Sequence, residues 1–188
     1  MKIAVIGGIG SGKSRVIEFL KELGENTCDC DQVYKNISAK DEYIRQVGLT
    51  FDVVKDGEID KRALAQIVFS DETQLKKLND LAHPLVFKKI DELYENIEGN
   101  LYIEVSAFDK SMAKYFDEVI LVRSEKDKRI ERVKARNNFE EAYILSIIAR
   151  QMPTEEMLDF ADFVIVNDGR LDELQRQVEY IVAFHNFG

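Results

Sequence analysis

The chain has 188 residues, of which 45% are hydrophobic and 32% charged, so its length and composition suit one α/β domain with room for a small insert. Its formal net charge of −9 at pH 7 argues against nucleic-acid and membrane-surface partners. No apolar run approaches about 18 residues, the length that a membrane-spanning helix needs. Cys28 and Cys30 are too close in sequence for an unstrained disulfide. Together these two observations predict a cytoplasmic protein.

The first motif in the chain is a phosphate-binding loop between a strand and a helix. Residues 2–6 form an apolar β-branched run, and residues 15–23 carry apolar positions at helical spacing. Between them, residues 7–14 match G-x-x-x-x-G-K-[ST] in the structural context that this motif requires. Backbone N–H groups of such a loop, with the positive end of the following helix, bind the phosphates of a nucleoside triphosphate. The residues predicted to bind ATP in this segment are Gly8, Ile9, Gly10, Ser11, Gly12, Lys13, Ser14 and Arg15.

Two residues of this loop are expected to take part in the chemistry. Lys13 should reach the β- and γ-phosphates, and the Ser14 hydroxyl should bind Mg²⁺. The alternative is a glycine-rich turn with a chance lysine, but it does not explain why the strand, the helix and all four fixed positions occur together.

A second strand is predicted to end at Asp31, with Cys28 and Cys30 as small apolar residues on one face. Ligands of open α/β sheets bind at the carboxyl ends of strands, so Asp31 is a candidate to orient and deprotonate an attacking hydroxyl. Its position is equally compatible with a cap of the turn that follows. A metal site at the cysteines is not favoured, because no histidine or second cysteine pair is nearby.

Residues 37–99 are predicted to form a helical insert without strands. One helix is expected over residues 41–47, others after residue 60, and a fresh start at His83-Pro84 with the proline in the first turn. In a phosphoryl-transfer enzyme the acceptor would bind to such an insert, but a purely structural insert would have the same pattern. From the residues alone, Arg62 is best explained as a solvated helix arginine and His83 as a capping or packing residue.

Three further apolar strands, over residues 101–105, 119–122 and 162–166, complete a predicted five-stranded parallel sheet. Glu104, at the end of the first of them, could bind Mg²⁺ through water.

Residues 124–153 are predicted to form a charged helical hairpin that closes over ATP as a lid and excludes water. A capping box at residues 124–127 is expected to begin its first helix, and residues 139–151 its second. Arg129, Arg132 and Arg136 share one face of the first helix, and we favour contact with nucleotide phosphates over a solvated face.

In this order, the motifs resemble those of the dephospho-CoA kinase family, nearly from end to end. The segments that carry the resemblance are residues 7–14, Asp29-Cys30-Asp31, residues 56–64, His83-Pro84-Leu85, residues 132–136, and Gln151 through Asn167-Asp168-Gly169. The resemblance implies a P-loop NTPase fold of the α/β class, a three-layer sandwich around a five-stranded parallel sheet. Its expected parts are a core (1–36, 100–123 and 158–188), an acceptor-binding insert (37–99) and a lid (124–153).

The resemblance also implies the reaction, which is transfer of the γ-phosphoryl group of ATP to the ribose 3′-hydroxyl of dephospho-CoA. It makes Asp31 the catalytic carboxylate and Arg132 the catalytic lid arginine, beside Lys13. The remaining implied assignments are nucleotide binding for Arg136 and Asn167, and substrate binding for Asp31, Arg62, His83 and Glu104. The implied partner is this small molecule, bound by a monomer or a weak homo-oligomer.

Residues 104–109 depart from the Asp-Val-Pro-Leu-Leu-like run that the family usually has after its third strand. Two alternatives therefore stay open, a (deoxy)nucleoside monophosphate kinase and a divergent homologue that binds ATP or CoA without turnover. A GTPase-like switch is not favoured, because the guanine-reading pattern Asn-Lys-x-Asp is missing from the sequence.

Overall fold

The computed structural model describes residues 1–187, which divide into two compact units. One unit comprises Met1–Asp29 and the chain from Ile97 onward, and the other comprises Cys30–Asn96. In chain order, the elements are β1 (Lys2–Ile6), α1 (Lys13–Glu22), β2 (Asn26–Asp29), α2 (Cys30–Ser38), α3 (Asp41–Phe51), β3 (Val54–Lys55), β4 (Glu58–Ile59), α4 (Lys61–Ser70), α5 (Glu72–Tyr94), β5 (Leu101–Glu104), a 3-10 helix (Lys110–Tyr115), β6 (Glu118–Arg123), α6 (Lys126–Asn137), α7 (Glu141–Ile148), α8 (Thr154–Leu158), β7 (Phe163–Val166) and α9 (Leu171–Phe187).

The first unit is built on a five-stranded sheet in the order β2-β5-β1-β6-β7. Every neighbouring pair is parallel, and β1 lies between β5 and β6 with Ala4 opposite Ile103 on one side and Val119 on the other. The predicted five-stranded parallel sheet with surrounding helices is thus confirmed. Because parallel strands end at one edge, the segments after β1, β5 and β6 emerge together at the edge where open α/β sheets bind ligands.

The core of this unit forms where α1 and α9 pack against the sheet. These helices present apolar side chains at helical spacing, and the middle strands are buried as parallel strands require. Its buried members from the helices are Val16, Ile17, Phe19, Leu20, Leu174, Val178, Ile181 and Val182.

The second unit contains α2 to α5 and a two-stranded antiparallel hairpin, β3-β4. The insert was predicted without strands, and that prediction is wrong. Asp56 and Gly57 join the two strands with φ angles of 51° and 80°, the left-handed conformation that a two-residue hairpin turn needs. The hairpin was missed although an Asp-Gly pair is typical of such turns, because strands of two residues are too short to show alternating polarity.

Two element boundaries also differ from the prediction. The second strand ends at Asp29, and Cys30 and Asp31 begin α2, because Cys30, Val33 and Ile37 repeat at helical spacing and are buried on one face. A new helix at His83-Pro84 was expected, but α5 runs through Pro84 without a break. Proline removes one N–H from the helix, and the buried face on both sides of it keeps the helix continuous.

The predicted hairpin of residues 124–153 contains α6 and α7, with small differences at their ends. The capping box is wrong, since Glu125 is the N-cap of α6 and makes no side-chain capping bond. The Ser124 hydroxyl instead donates to Asp168 Oδ1 at 2.7 Å. Helix α7 ends at Ile148 rather than at residue 151.

Candidate active site

The loop between β1 and α1 has the backbone that an anion nest requires. Gly10 and Gly12 have φ angles of 75° and 103°, a region that only glycine adopts without strain. No side chain caps α1, whose N-cap is Gly12. The positive dipole end of α1 therefore faces the loop without a side-chain cap, an arrangement that favours an anion there.

The functional groups of Lys13 and Ser14 are held at the mouth of this nest. Lys13 is 7% exposed, and its Nζ donates to the carbonyl oxygens of Gly7 at 2.7 Å and Gly8 at 3.4 Å. The Ser14 Oγ donates to Glu104 Oε1 at 2.8 Å, so the end of β5 meets the start of α1. A hydroxyl and a carboxylate are hard oxygen donors, which suit Mg²⁺.

Two side chains from later in the chain, those of Arg132 and Asn167, hydrogen-bond to the backbone of the loop. Arg132 donates to the carbonyl oxygens of Gly10 at 3.3 Å and Asn167 at 2.7 Å, and Asn167 Nδ2 donates to the carbonyl oxygen of Ser11 at 2.8 Å. A Cβ atom on Gly12 would overlap this Asn167 amide, so glycine is also needed there for close packing. Arg132 and Asn167 were predicted to bind the nucleotide, and in this structure they contact the backbone of the loop that would hold it.

Gln151 joins this loop to the segment after β5. Its Oε1 accepts from the Ile9 N–H at 2.8 Å, and its Nε2 donates to the Ser106 carbonyl oxygen at 3.3 Å. Gln151 had no predicted role beyond its place in a motif. Its contact with Ile9 spans 142 residues of chain, a separation over which sequence patterns carry no signal.

The turn after β7 is fixed to the start of α6 through Asp168. Burial favours the protonated carboxyl, but hydrogen bonds from the Ser124 hydroxyl and the Glu125 N–H outweigh it and lower the pKa of Asp168. The Lys128 ammonium adds to the same shift and donates to the Asp168 carbonyl oxygen at 2.7 Å. This charged turn positions Asn167, the residue immediately before it, against the loop.

A cavity of about 400 Å³ lies beside the loop. It is lined by residues of the loop and α1, by the end of β5 and the segment after it, and by the hairpin of residues 124–153. Its lining contains four cationic side chains and one carboxylate, which fits a polyanionic ligand with a bound cation. The residues that line it are Ile9, Gly10, Gly12, Lys13, Ser14, Arg15, Glu104, Ser106, Arg132, Val133, Arg136, Ile147 and Gln151.

The other predicted site residues have simpler surroundings. Arg15 is exposed, pairs with Glu18 at 2.5 Å and lies over the Phe19 ring. Arg136 is exposed at the end of α6 and donates to Asn137 Oδ1 at 2.8 Å. Both side chains reach the cavity from its rim.

Asp31, Arg62 and His83 belong to the second unit. Asp31 is exposed in the first turn of α2, and Arg62 is exposed in the first turn of α4. His83 is half-buried in the middle of α5, where its ring contacts the Phe87 ring edge-on with 6.0 Å between centroids.

Residues 1–187 contain neither a cluster of metal-ligating side chains nor a helix that could span a membrane. Nowhere in residues 1–187 do three or more His, Cys, Asp or Glu side chains cluster as metal ligands. Over the same range, every helix is too short or too polar to cross a membrane.

Comparison with known proteins gives one consistent relationship. The family model described as dephospho-CoA kinase matches residues 1–173. A dephospho-CoA kinase of Fusobacterium nucleatum is 34% identical over 184 residues, which cover 95% of each chain. The crystal structure of TT1252 from Thermus thermophilus superposes with a TM-score of 0.85 at 31% identity, over 98% of this chain and 97% of that one. A shikimate kinase from Acinetobacter baumannii, at a TM-score of 0.55 and 15% identity over 100% and 95% of the two chains, shares the fold alone.

Proposed function

We propose roles for the individual site residues on the premise that the chain belongs to the dephospho-CoA kinase family. The reaction is phosphorylation of the ribose 3′-hydroxyl of dephospho-CoA by ATP, which gives coenzyme A and ADP. The observation that carries the proposal is the cavity above the glycine loop, where Lys13, Ser14, Glu104 and Arg132 converge. A monophosphate kinase would need the same nucleotide site, so the family membership decides between the two acceptors.

Lys13 and Arg132 act on the phosphates of ATP. Phosphoryl transfer requires in-line positioning and neutralisation of charge on the transferring group. Lys13 supplies a buried ammonium within the loop, and Arg132 supplies a guanidinium that already contacts the loop backbone. Both stabilise charge that develops as the γ-phosphoryl group leaves ADP. The other nucleotide-binding residues in this proposal are Gly8, Ile9, Gly10, Ser11, Gly12, Arg15, Arg136 and Asn167.

Ser14 would hold Mg²⁺, with Glu104 in reach through water. Mg²⁺ keeps several waters and binds through one or two protein oxygens together with substrate phosphates, a pattern that the Ser14–Glu104 pair fits. When bound, the ion neutralises charge on the phosphate oxygens. In the protein itself, Glu104 orients the Ser14 hydroxyl through their 2.8 Å hydrogen bond.

Asp31 acts on the acceptor. Its carboxylate accepts the proton of the ribose 3′-hydroxyl as that oxygen bonds to the γ-phosphorus and the bond to the β-phosphate oxygen breaks. An exposed side chain in the first turn of α2 is accessible to such a substrate. Arg62 and His83 bind the acceptor within the insert of residues 37–99, and the hairpin of residues 124–153 closes over ATP. The protein works in the cytoplasm as a monomer or weak homo-oligomer.

The test is the ATP-dependent formation of coenzyme A by the purified protein, detected by mass. We expect product from dephospho-CoA and none from AMP, CMP or dTMP as acceptors. Asp31→Asn should lower kcat by at least about a hundredfold, the usual scale for loss of an acid–base group, and leave ATP binding unchanged.

The matched control is Asp41→Asn, which changes an exposed aspartate in the first turn of α3 in the same unit. It should retain full activity. Phosphorylation of a nucleoside monophosphate instead of dephospho-CoA would reject the acceptor, and full activity of Asp31→Asn would reject Asp31 as the base.

A further inference from the structure

Arg129 is the one arginine of α6 that is buried, although it was expected to face nucleotide phosphates with Arg132 and Arg136. Its side chain is 7% exposed, and Nε donates to the Ile9 carbonyl oxygen at 2.9 Å. Its guanidinium thus lies against the loop backbone.

The contact with Gly8 is closer still. A Cβ atom built on Gly8 would overlap Arg129 Nη2. Gly8 is not among the glycines with positive φ, so its backbone is open to an L-residue such as alanine. The steric obstacle at Gly8 is therefore the guanidinium of Arg129, and glycine at this position admits that group.

No carboxylate neutralises this buried cation among the residues that the structure describes. Arg129 has no ion pair within 4.0 Å there, and its side chain hydrogen-bonds through Nε to Ile9 and not through Nη1 or Nη2. Burial alone lowers the pKa of Arg129, with no charged neighbour contributing. Burying most of a side chain that carries an unpaired charge is costly, and a nearby anion would offset that cost. The polyanion that the loop binds can supply that compensation.

We propose that Arg129 is a positioning residue for the phosphate loop, which it holds through Gly8 and Ile9 while placing an unneutralised positive charge behind the bound phosphates. It makes no contact with ATP. Its charge acts through the loop in a poorly solvated region, where screening is weak. This inference rests on the proposed function only in requiring that the loop bind ATP.

The charge is tested by Arg129→Met, which removes the guanidinium and keeps an unbranched apolar stem, and by Arg129→Lys, which keeps the charge. Affinities for ATP, ADP and AMP are measured by calorimetry without acceptor, so that the result stands even if dephospho-CoA proves to be the wrong acceptor. We expect Arg129→Met to weaken ATP binding about tenfold, because it removes a poorly screened positive charge near the phosphates, and AMP binding less than about twofold. Arg129→Lys should lie within about threefold of the parent protein for ATP. An equal loss for ATP and AMP, or an unchanged ATP affinity in Arg129→Met, would overturn the proposal.

The steric contact is tested by a double-mutant cycle with Gly8→Ala. Alone, Gly8→Ala should weaken ATP binding about tenfold; with Arg129→Ala it should add less than about twofold, because the obstacle has gone. If Gly8→Ala lowered ATP affinity equally with arginine and with alanine at position 129, glycine at position 8 would not be needed to accommodate Arg129.

Thermal unfolding of each variant checks that it is folded. If Arg129→Ala does not fold, Arg129→Met takes its place in the cycle, since methionine has no guanidinium to meet the new methyl group. The matched control is Arg176→Met on α9, where the arginine is exposed and pairs with Asp172. It should leave all three affinities unchanged.

Discussion

At the scale of single residues, burial sets the reactivity of Cys28. Desolvation, helped by the neighbouring Asp29 carboxylate, raises the pKa of the Cys28 thiol from 9.0 to about 11. A raised pKa disfavours the thiolate, which is the species that reacts with alkylating agents. In Cys30→Ala, where Cys28 is the remaining thiol, we expect iodoacetamide at pH 8 to react about a hundredfold more slowly with the native than with the urea-unfolded protein.

The rates are read by mass shift over time, and the unfolded sample of the same variant is the control. Equal rates in the two states would show that burial does not protect this thiol.

Hydrogen-bond partners separate the three arginines of α6, which sequence spacing could not do. The spacing correctly placed them on one helix, but it gave Arg129 the same role as Arg132 and Arg136. Arg132 reaches Asn167 and Gly10, whereas Arg129 reaches Ile9 and packs on Gly8. Which carbonyl a long side chain reaches depends on how α6 lies against the loop, and this information is not contained in either segment alone.

At the scale of elements, the end of α9 is attached to the sheet through His185. Its side chain is fully buried, with Nδ1 2.8 Å from the Tyr102 hydroxyl and Nε2 2.8 Å from Glu118 Oε2. Burial and the nearby Glu25 and Glu118 carboxylates raise the pKa of Tyr102, so the phenol stays protonated within its hydrogen bond to Nδ1. His185 thus links β5, β6 and α9 in one network.

His185→Leu should lower the free energy of unfolding by about 2–4 kcal/mol, because it leaves the buried Tyr102 hydroxyl and the Glu118 carboxylate without this partner. Urea unfolding followed by circular dichroism measures the change. Tyr180→Leu, at a side chain of α9 that is 70% exposed, is the control and should change stability by less than about 0.5 kcal/mol. Equal stability of the two variants would show that the network does not hold α9 to the sheet.

Elements with a local signal were predicted well, and elements that depend on tertiary contacts were not. Strand β1, the loop and α1 carry their signals within 22 residues, and the structure has them as predicted. Continuation of α5 through Pro84 depends on burial of residues on both sides, which outweighs the local preference for a break. The candidate site shows the same difference. The loop has a local motif and was predicted from the sequence, whereas the hydrogen bond from the Ile9 N–H to Gln151 depends on tertiary contacts and was not predicted.

At the scale of the whole molecule, the net charge of the protein is opposite in sign to the charge of the cavity lining. The protein carries a formal charge of −9, while Lys13, Arg132 and Arg136 line the cavity above the loop. At about 0.1 M salt, interactions between exposed charges are screened beyond roughly 10 Å, so the net charge acts weakly on a ligand once it has entered the cavity. We therefore expect the net negative charge to discriminate between polyanions by size, because a nucleotide would enter the cavity and a long polyanion would have to run across the surface.

We accordingly expect ATP to bind and a 20-nucleotide single-stranded DNA to show no binding up to about 100 μM protein, even at 50 mM salt, where basic surfaces bind such strands tightly. Fluorescence anisotropy of labelled DNA measures this, and a labelled ATP analogue in the same buffer is the positive control. Raising the salt should not create DNA binding, since screening removes repulsion without adding contacts. DNA binding that weakens as salt rises would reveal a basic track across the surface and would contradict the argument from net charge.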